Sequence, residues 1–183
     1  MFLLAIDPGL DVTGTALFDL VAWDNQSPKT LRDALTVLGP LTKLMTTPKD
    51  RPEVRLADLA TDLDALCNEY PPQICYIEHP QIHGDYARSN GGLYRKSVNA
   101  LYEARGALLA TLGILQVPVV QVRAGTEAKR VRHGYLQNLF RAAKRELPAG
   151  PKGGAEEDIW DAIWIGVWAL VNRFEVDMAE AAR

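Results

Sequence analysis

The sequence has little cysteine, no long apolar run and no basic N-terminal segment, and each lack excludes a class of protein. Two cysteines, Cys67 and Cys75, are too few for a disulfide framework or a zinc cluster, and we expect buried thiols in a cytoplasmic protein. No apolar run approaches the roughly 18 residues of a transmembrane helix, and an acid follows early at Asp7, unlike in a signal peptide. With 183 residues, 48% of them apolar, we expect one domain over residues 1–174 and a tail over 175–183.

The charge of the chain is unevenly distributed, although its formal total is only −3. Residues 1–85 carry 6 Lys and Arg against 13 Asp and Glu, residues 86–152 carry 12 against 3, and residues 153–183 carry 2 against 7. A small negative total, taken alone, argues against a nucleic-acid partner. A strongly basic middle third between two acidic flanks instead favours a polyanionic partner.

Periodicity and turn residues predict a mixed α/β fold in which helices flank a β-sheet. Predicted strands lie at 2–7, 13–20, 34–45 (broken or bulged near Gly39-Pro40), 73–78 and 117–122. Predicted helices lie at 52–70, 93–114, 127–147 (a basic segment that Gly134 is expected to break) and 155–174, with a loop at 79–92 and a hinge at 148–154. The strands at 2–7 and 73–78 are expected to be central, and Pro118 puts the last strand near an edge.

Four acidic residues stand where a solvated surface charge is not expected. Asp7 and Glu78 each end a predicted central strand, and ligand sites of α/β sheets form at such strand ends. Asp158 and Asp161 are three residues apart on a largely apolar final helix, so they share one of its faces. A carboxylate at the border of an apolar core needs a partner such as a cation.

Each of these acids also has an ordinary structural interpretation. Asp7 can serve as the turn residue of Asp-Pro-Gly, Glu78 as a strand-end charge, and the acids of the final helix as complements of its dipole. Asp161 lies further into that helix, where the benefit of the dipole has faded. Without a Cys or His cluster, the four carboxylates form an oxygen-rich set suited to Mg²⁺ or Mn²⁺, which can bind as a pair about 3.5–4 Å apart.

Four motifs, in order along about residues 3–170, resemble those of the RuvC-type Holliday junction resolvases, the crossover junction endodeoxyribonucleases of the ribonuclease H-like superfamily. They are Ile6-Asp7-Pro8-Gly9 with Thr13-Gly14, Ile77-Glu78, Glu103-Ala104-Arg105-Gly106 followed by Val117-Pro118-Val119, and Asp158-Ile-Trp-Asp161-Ala-Ile. Each motif alone is weak, but four in register with the predicted elements are fairly specific.

The resemblance implies a ribonuclease H-like mixed sheet of about five strands flanked by helices. It implies a homodimer, packed largely through the helix at 93–114, that resolves four-way DNA junctions in recombination and repair. Two symmetric nicks would leave 5′-phosphate and 3′-hydroxyl ends. It also implies two Mg²⁺ or Mn²⁺ ions per active site. Their ligands would be the four acids: Asp7, which the two cations share, and Glu78, Asp158 and Asp161.

Basic residues of the middle third are the candidates for phosphate contacts. Lys129 matches a basic position of the family and is expected to lie near the scissile phosphate, where it stabilises developing charge. Arg105 belongs to the same basic segment. The predicted DNA-binding set is Arg88, Arg95, Lys96, Arg123, Lys129, Arg130, Arg132, His83 and Tyr86.

The chain departs from the family pattern at two places. The family often has a junction-inserting aromatic shortly after its second acid, where this chain reads His79-Pro80-Gln81-Ile82-His83, and Ile82, His83 and Tyr86 are the candidates to replace it. A second family lysine also has no clear counterpart. Three neighbouring basic residues could take that lysine's role: Arg130, Arg132 and His133.

Several alternatives stay open from the sequence. The chain could be a broader debranching nuclease that also cuts forks and flaps, or a non-catalytic junction-binding module of the same fold. A phosphotransferase of the actin or sugar-kinase type is disfavoured, because those folds need two lobes and 183 residues supply one. Within the site, Glu157 rather than Asp158 could contact metal, since both lie within helical reach of Asp161.

Overall fold

A computed structural model describes residues 1–26, 29–47, 50–79, 91–123, 129–142, 155–172 and 174. Side chains are described throughout these ranges except at 91–97, 123, 129–133 and 155–157. The strands are β1 (Phe2–Asp7), β2 (Val12–Asp19), β3 (Leu38–Met45), β4 (Pro72–His79) and β5 (Val119–Arg123). The helices are α1 (Leu20–Asp24), α2 (Leu31–Thr36), α3 (Pro52–Glu69), α4 (Gly91–Ile114), α5 (Lys129–Ala142) and α6 (Ala155–Asn172).

The five strands form one mixed sheet in the order β3-β2-β1-β4-β5. The first three strands are antiparallel neighbours, whereas β4 runs parallel to β1 and β5 runs parallel to β4. The prediction that β1 and β4 are interior strands is confirmed, as is the edge position of the strand after Pro118. The predicted α/β class, a mixed sheet flanked by helices, is confirmed with it.

Side chains alternate between the two faces of the sheet, and each face supports its own apolar cluster. On one face, which we call the α6 face, Leu3 and Ala5 pack with the apolar side of α6 and with residues of α2 and α5. On the other, the α3 face, Leu4 and Ile6 pack with α3 and α4. Because β1 has apolar side chains on both faces, it lies at the centre of the fold.

A glycine lets α6 lie close against β2. A Cβ built on Gly166 would lie 2.0 Å from the ring carbon Cε2 of Phe18, which is fully buried. A side chain at this position would therefore push the helix away from the strand. The close packing holds the axis of α6 across the α6 face.

The predicted strand at 34–45 is wrong in its first third, because Leu31–Thr36 forms the short helix α2. The hydroxyl of Thr30 accepts a hydrogen bond from the backbone N–H of Asp33, whose carboxylate accepts one from the backbone N–H of Thr30. This reciprocal capping box stabilises a helix start at the expense of an extended chain. The irregularity expected near Gly39-Pro40 is confirmed, since the pairing with β2 shifts register between Ala16 and Phe18.

The end of the second strand and the continuity of the basic helix also differ from the prediction. The second strand ends at Asp19, because the Asp19 carboxylate accepts hydrogen bonds from the backbone N–H groups of Val21 and Ala22 and so begins α1. Gly134 does not break the basic helix, which runs without interruption over Lys129–Ala142. A single glycine inside a helix costs only about 1 kcal/mol relative to alanine, which the rest of the helix can offset. The hinge at 148–154 lies outside the described residues.

Both cysteine thiols are buried, as expected. Burial, and then the negative charge of Asp64, raises the pKa of the Cys67 thiol to about 11. Burial raises the pKa of Cys75 as well, and the nearby Cys67 adds to the effect. Among the described helices, none combines the length and the apolar character needed to cross a membrane.

We therefore predict that the native protein resists alkylation by iodoacetamide at pH 8. With a pKa of about 11, the thiolate fraction of Cys67 at that pH is about one in a thousand, and the thiolate is the reacting species. Mass spectrometry should find both cysteines unmodified in buffer and both modified in 8 M urea, a control that exposes the same thiols. Since the folded pKa is the higher one, stability should fall as the pH rises above about 9. Rapid labelling in buffer would contradict the buried placement.

Candidate active site

The two strand-end acids lie on neighbouring parallel strands at the same edge of the sheet. Ile6 of β1 is aligned with Ile77 of β4, and the next residues along the two strands are Asp7 and Glu78. Asp7 is 8% exposed, whereas Glu78 is half-buried. The parallel register therefore puts the two carboxylates side by side where both strands end.

Strand alternation also puts both carboxylates on the α6 face of the sheet. Asp7 lies two residues beyond Ala5, and Glu78 lies two residues beyond Tyr76. Ala5 and Tyr76 both belong to the apolar cluster that packs against α6. Residues two apart in a strand share a face, so the two acids face the helix that carries the other pair.

The N-terminal part of α6, which carries the remaining acids, lies over the sheet next to Asp7. Asp7 is the cross-strand partner of Gly14 in β2. A Cβ built on Gly14 would lie 2.0 Å from the carbonyl oxygen of Asp158 and 2.8 Å from the backbone nitrogen of Ile159. The backbone of Asp158 therefore lies directly over the strand residue that pairs with Asp7, and only a glycine leaves room for it.

Asp161 lies one turn further along the same helix and is 1% exposed, while Asp158 is half-buried. The fold thus brings β1, β4 and α6 to one edge and one face of the sheet, each with an acidic residue there. Among the described side chains, no three Asp, Glu, His or Cys residues lie close enough together to hold a metal ion. The side chain of Glu157, the alternative ligand, lies outside the described ones.

The fold is similar to that of solved Holliday junction resolvases. The chain matches the RuvC of Thermus thermophilus in complex with a Holliday junction substrate (TM-score 0.66, 16% identity, covering 95% of this chain and 96% of that one) and the same protein in a second structure (0.65, 17%, 96% and 97%). The fold is that of the RuvC-type resolvases. The yeast mitochondrial Holliday junction resolvase Ydc2 has it too (TM-score 0.61, 11% identity, covering 97% and 80%). No protein-family model and no curated protein sequence matches the chain.

In this RuvC-type fold, the turn after Asp7 depends on a glycine and a buried threonine. The backbone N–H of Gly9 donates to Oγ1 of Thr13 at 3.1 Å, and that hydroxyl donates to the Gly9 carbonyl at 2.7 Å. Thr13 is fully buried, and a Cβ at Gly9 would lie 2.2 Å from the carbonyl oxygen of Val12. The Asp-Pro-Gly and Thr-Gly segments are therefore two halves of one turn that ends the strand at Asp7.

Sequence reasoning missed a second support of this turn, the arginine Arg55 in the first turns of α3. Its guanidinium contacts the carboxylate of Asp11 and donates from Nε to Oγ1 of Thr46 at 3.0 Å. A signal was present in the sequence. Arg55 lies four residues before Leu59 and eight before Leu63, both fully buried, so it occupies a core-facing position of an amphipathic helix.

The predicted basic residues of the described ranges lie on three elements. Arg123 ends β5 and is paired with His79 of β4, which places its backbone at the acidic edge of the sheet. Arg95 and Lys96 lie in the first turns of α4. Lys129, Arg130 and Arg132 lie in the first turn of α5, which follows β5 in the chain. Arg88, His83, Tyr86 and Ile82 lie outside the described residues.

Arg105 belongs to the basic segment of the sequence but not to the predicted DNA-binding set, and its side chain is directed into the core. It is 9% exposed, and its neighbours on the same side of α4 are Leu108 and Leu112, both fully buried. Within the described part of the chain, its Nε and Nη2 atoms have no hydrogen-bond partner. A count of basic residues along a helix does not show whether a given guanidinium is buried or exposed.

We predict that Gly14→Ala destabilises the protein by about 1–3 kcal/mol, because the new methyl group overlaps backbone atoms of α6 that cannot rotate away. Gly39→Ala is the matched control, since it also lies in a strand and its Cβ would meet nothing nearer than 3.4 Å. The measurement is the free energy of unfolding in urea, followed by the fluorescence of the tryptophans. Equal losses for the two variants would contradict the close contact between Gly14 and Asp158.

Proposed function

We propose that the protein is a Mg²⁺- or Mn²⁺-dependent endodeoxyribonuclease that resolves four-way DNA junctions by paired symmetric nicks. The observation that carries the proposal is the meeting of Asp7, Glu78 and the first turns of α6 at one edge and one face of a RuvC-type fold. Matching structures from Thermus thermophilus and from yeast mitochondria are both described as Holliday junction resolvases. The products would carry 5′-phosphate and 3′-hydroxyl ends.

The donor set fits divalent cations of the hard class. All four candidate ligands are carboxylates, and oxygen ligands are those that Mg²⁺ and Mn²⁺ prefer. Asp7 and Asp161 are both more than nine-tenths buried, where an ionised carboxylate is costly unless positive charge or hydrogen bonds offset it. When bound, a pair of such cations supplies activation of the water nucleophile and neutralises charge on the scissile phosphate.

The proposed role of each residue follows from the element on which it lies. Asp7, on the central strand between Gly14 and β4, would be the ligand shared by two cations. Glu78 would complete the coordination from the neighbouring strand, and Asp158 and Asp161 would complete it from the helix above. Lys129 would contact the scissile phosphate and stabilise the charge that develops during in-line attack.

The basic middle third would hold the arms of the junction. Its excess of positive charge, 12 Lys and Arg against 3 Asp and Glu over residues 86–152, suits a phosphate backbone. Arg95, Lys96, Arg123, Arg130 and Arg132 would contact phosphates. Arg88 would also contact DNA, and Ile82, His83 and Tyr86 are the candidates to insert at the junction.

We propose a homodimer that packs through α4, so that two active sites act on opposite strands of one junction. The outward side of this helix has small residues, since Gly106 and Gly113 are exposed and a Cβ on either would meet nothing within 4 Å. Ile114 at its end is 82% exposed and Tyr102 is 36% exposed. Small residues allow close approach of a second helix, and the exposed apolar groups provide surface to bury.

We predict that Asp7→Asn lowers the rate of junction cleavage by about a hundredfold or more at saturating Mg²⁺, because it removes the carboxylate charge at the proposed shared ligand. A labelled four-way junction is incubated with each protein, and the nicks are read on a denaturing gel. Asp24→Asn is the matched control, since Asp24 is exposed and pairs only loosely with Lys29 at 4.0 Å.

The same assay separates the proposal from its alternatives. The wild type should place symmetric nicks in the junction and leave a Y-fork and a flap largely intact, whereas similar rates on all three would indicate a debranching nuclease. Metal-independent junction binding without cleavage would indicate a binding module. Equal cleavage by wild type and Asp7→Asn would contradict the metal site.

We predict that junction binding weakens steeply with salt, because phosphate contacts release counterions. Substituting Lys129 with Ala should reduce the slope of log K against log salt by about 0.9, the loss of one phosphate contact. Fluorescence anisotropy in EDTA over a series of KCl concentrations measures it. Lys29→Ala is the control, because Lys29 lies outside the basic middle third of the sequence. Its ammonium group lies 5.6 Å from the centroid of the Trp23 ring. An unchanged slope for Lys129→Ala would contradict the phosphate contact.

A further inference from the structure

The turn that follows Asp7 is held from the α3 face by a buried arginine. The side chain of Arg55 is 10% exposed, and its Nη2 atom forms an ion pair with Oδ1 of Asp11. Asp11 lies in the segment between β1 and β2, four residues beyond Asp7. A single side chain of α3 therefore contacts the segment that leaves the central strand.

Thr46, the residue directly after β3, joins this contact to the rest of the turn. Its hydroxyl accepts from Nε of Arg55 at 3.0 Å and donates to the carbonyl of Leu10 at 2.5 Å. Its backbone N–H donates to the carbonyl of Asp11 at 3.2 Å. Thr46 is 6% exposed, so these bonds lie largely out of solvent. We call Arg55, Thr46 and Asp11 the turn clamp.

The turn is consequently fixed on both of its sides. The reciprocal bonds between Gly9 and Thr13 close its inner side, and the turn clamp holds its outer side at Leu10 and Asp11. Asp7, directly before the turn, has its carboxylate on the opposite, α6 face. The backbone that carries Asp7 is thus held from one face, while its carboxylate is used on the other.

The burial of Arg55 needs a reason beyond packing. Taking a guanidinium out of water carries a desolvation penalty that an ion pair only partly offsets, and an apolar side chain could fill such a space at similar or better stability. The guanidinium can fix the relative position of two segments, because its planar group of N–H donors bonds partners on both of them at defined angles. Here the two partners are the turn residue Asp11 and the β3-end residue Thr46.

We propose that Arg55 is a positioning residue for Asp7, acting through Thr46 and Asp11 to hold the turn in the conformation that sets the direction of the Asp7 carboxylate. The inference rests on the proposed nuclease function, since it assigns Asp7 to the reacting centre. Arg55 itself would touch neither the DNA nor the metal. Small displacements of a ligand matter, because a shift of about 1 Å can slow a reaction by about a hundredfold.

The test compares Arg55→Gln and Thr46→Val with Arg32→Gln. Arg32 is the matched control, since its guanidinium also joins two elements, donating to the carbonyl of Ala142 at 3.1 Å. We expect kcat for junction cleavage to fall about tenfold or more in both clamp variants, with KM and the Kd for junction in EDTA within about twofold of wild type. Thr46→Val removes the shared hydroxyl at little change in shape and gives a second variant if Arg55→Gln does not fold.

Two readouts do not depend on cleavage. Amide hydrogen exchange of residues 9–13 should be faster in the clamp variants and unchanged in Arg32→Gln, because Arg55→Gln removes the ion pair with Asp11 and Thr46→Val removes the hydrogen bond to Leu10. The rise in Tm on adding Mn²⁺ alone should be smaller in the clamp variants than in wild type. A purely structural arginine would lower Tm in all conditions and leave the Mn²⁺-induced rise unchanged.

Failure of this inference can be told apart from failure of the proposed function. If the wild type does not cut junctions, the proposed function fails, and the Mn²⁺-induced rise in Tm still tests the clamp. The positioning role is overturned by a wild-type kcat in both clamp variants, by unchanged exchange at residues 9–13, or by an undiminished response to Mn²⁺. It is also overturned if Arg32→Gln loses as much activity as Arg55→Gln.

Discussion

The close approach of the N-terminal turns of α6 to β2 is the contact on which the candidate site depends. At Gly14 the backbone of Asp158 lies where a side chain would otherwise stand, and at Gly166 the helix lies against the ring of Phe18. Two glycines, one on the strand and one on the helix, let the same helix lie close to the sheet at its first turn and about two turns further along. With a larger residue at Gly14, the acids of α6 would move away from Asp7, and the sheet would keep only its two strand-end carboxylates.

This packing has an electrostatic cost that shapes the rest of the molecule. The fold brings three segments that together carry four acidic residues to one edge of the sheet, and Asp7 and Asp161 are almost fully buried. Like charges brought close together repel, and low exposure weakens the screening by water. A cation or a cationic side chain would offset this repulsion. This agrees with the proposed metal chemistry and with the basic segment that follows β4 in the chain.

The sheet could be predicted closely, because its signals are local. Alternation and apolar runs predicted all five strands and the interior position of β1 and β4, and Pro118 predicted the edge. The errors also have local causes: a capping box at Thr30 and Asp33 begins a helix where apolar residues suggested a strand, and the Asp19 carboxylate ends β2 by starting α1. At Gly134 the helix continues without a break, so the low helix propensity of glycine alone was too weak a signal.

By itself, the sequence determined which residues could carry the chemistry, since acids at strand ends and an i, i+3 pair are visible in the order of residues. Only the tertiary structure decided that they meet, because the parallel register of β1 and β4 and the contact over Gly14 join segments some 70 to 150 positions apart. The tertiary structure likewise decided the roles of two arginines. Arg55 and Arg105 are both buried, but Arg55 has partners in the turn beside Asp7 that lie 9 and 44 residues away in sequence. Burial and partners of this kind are properties of packed neighbours, and a linear pattern of charges does not contain them.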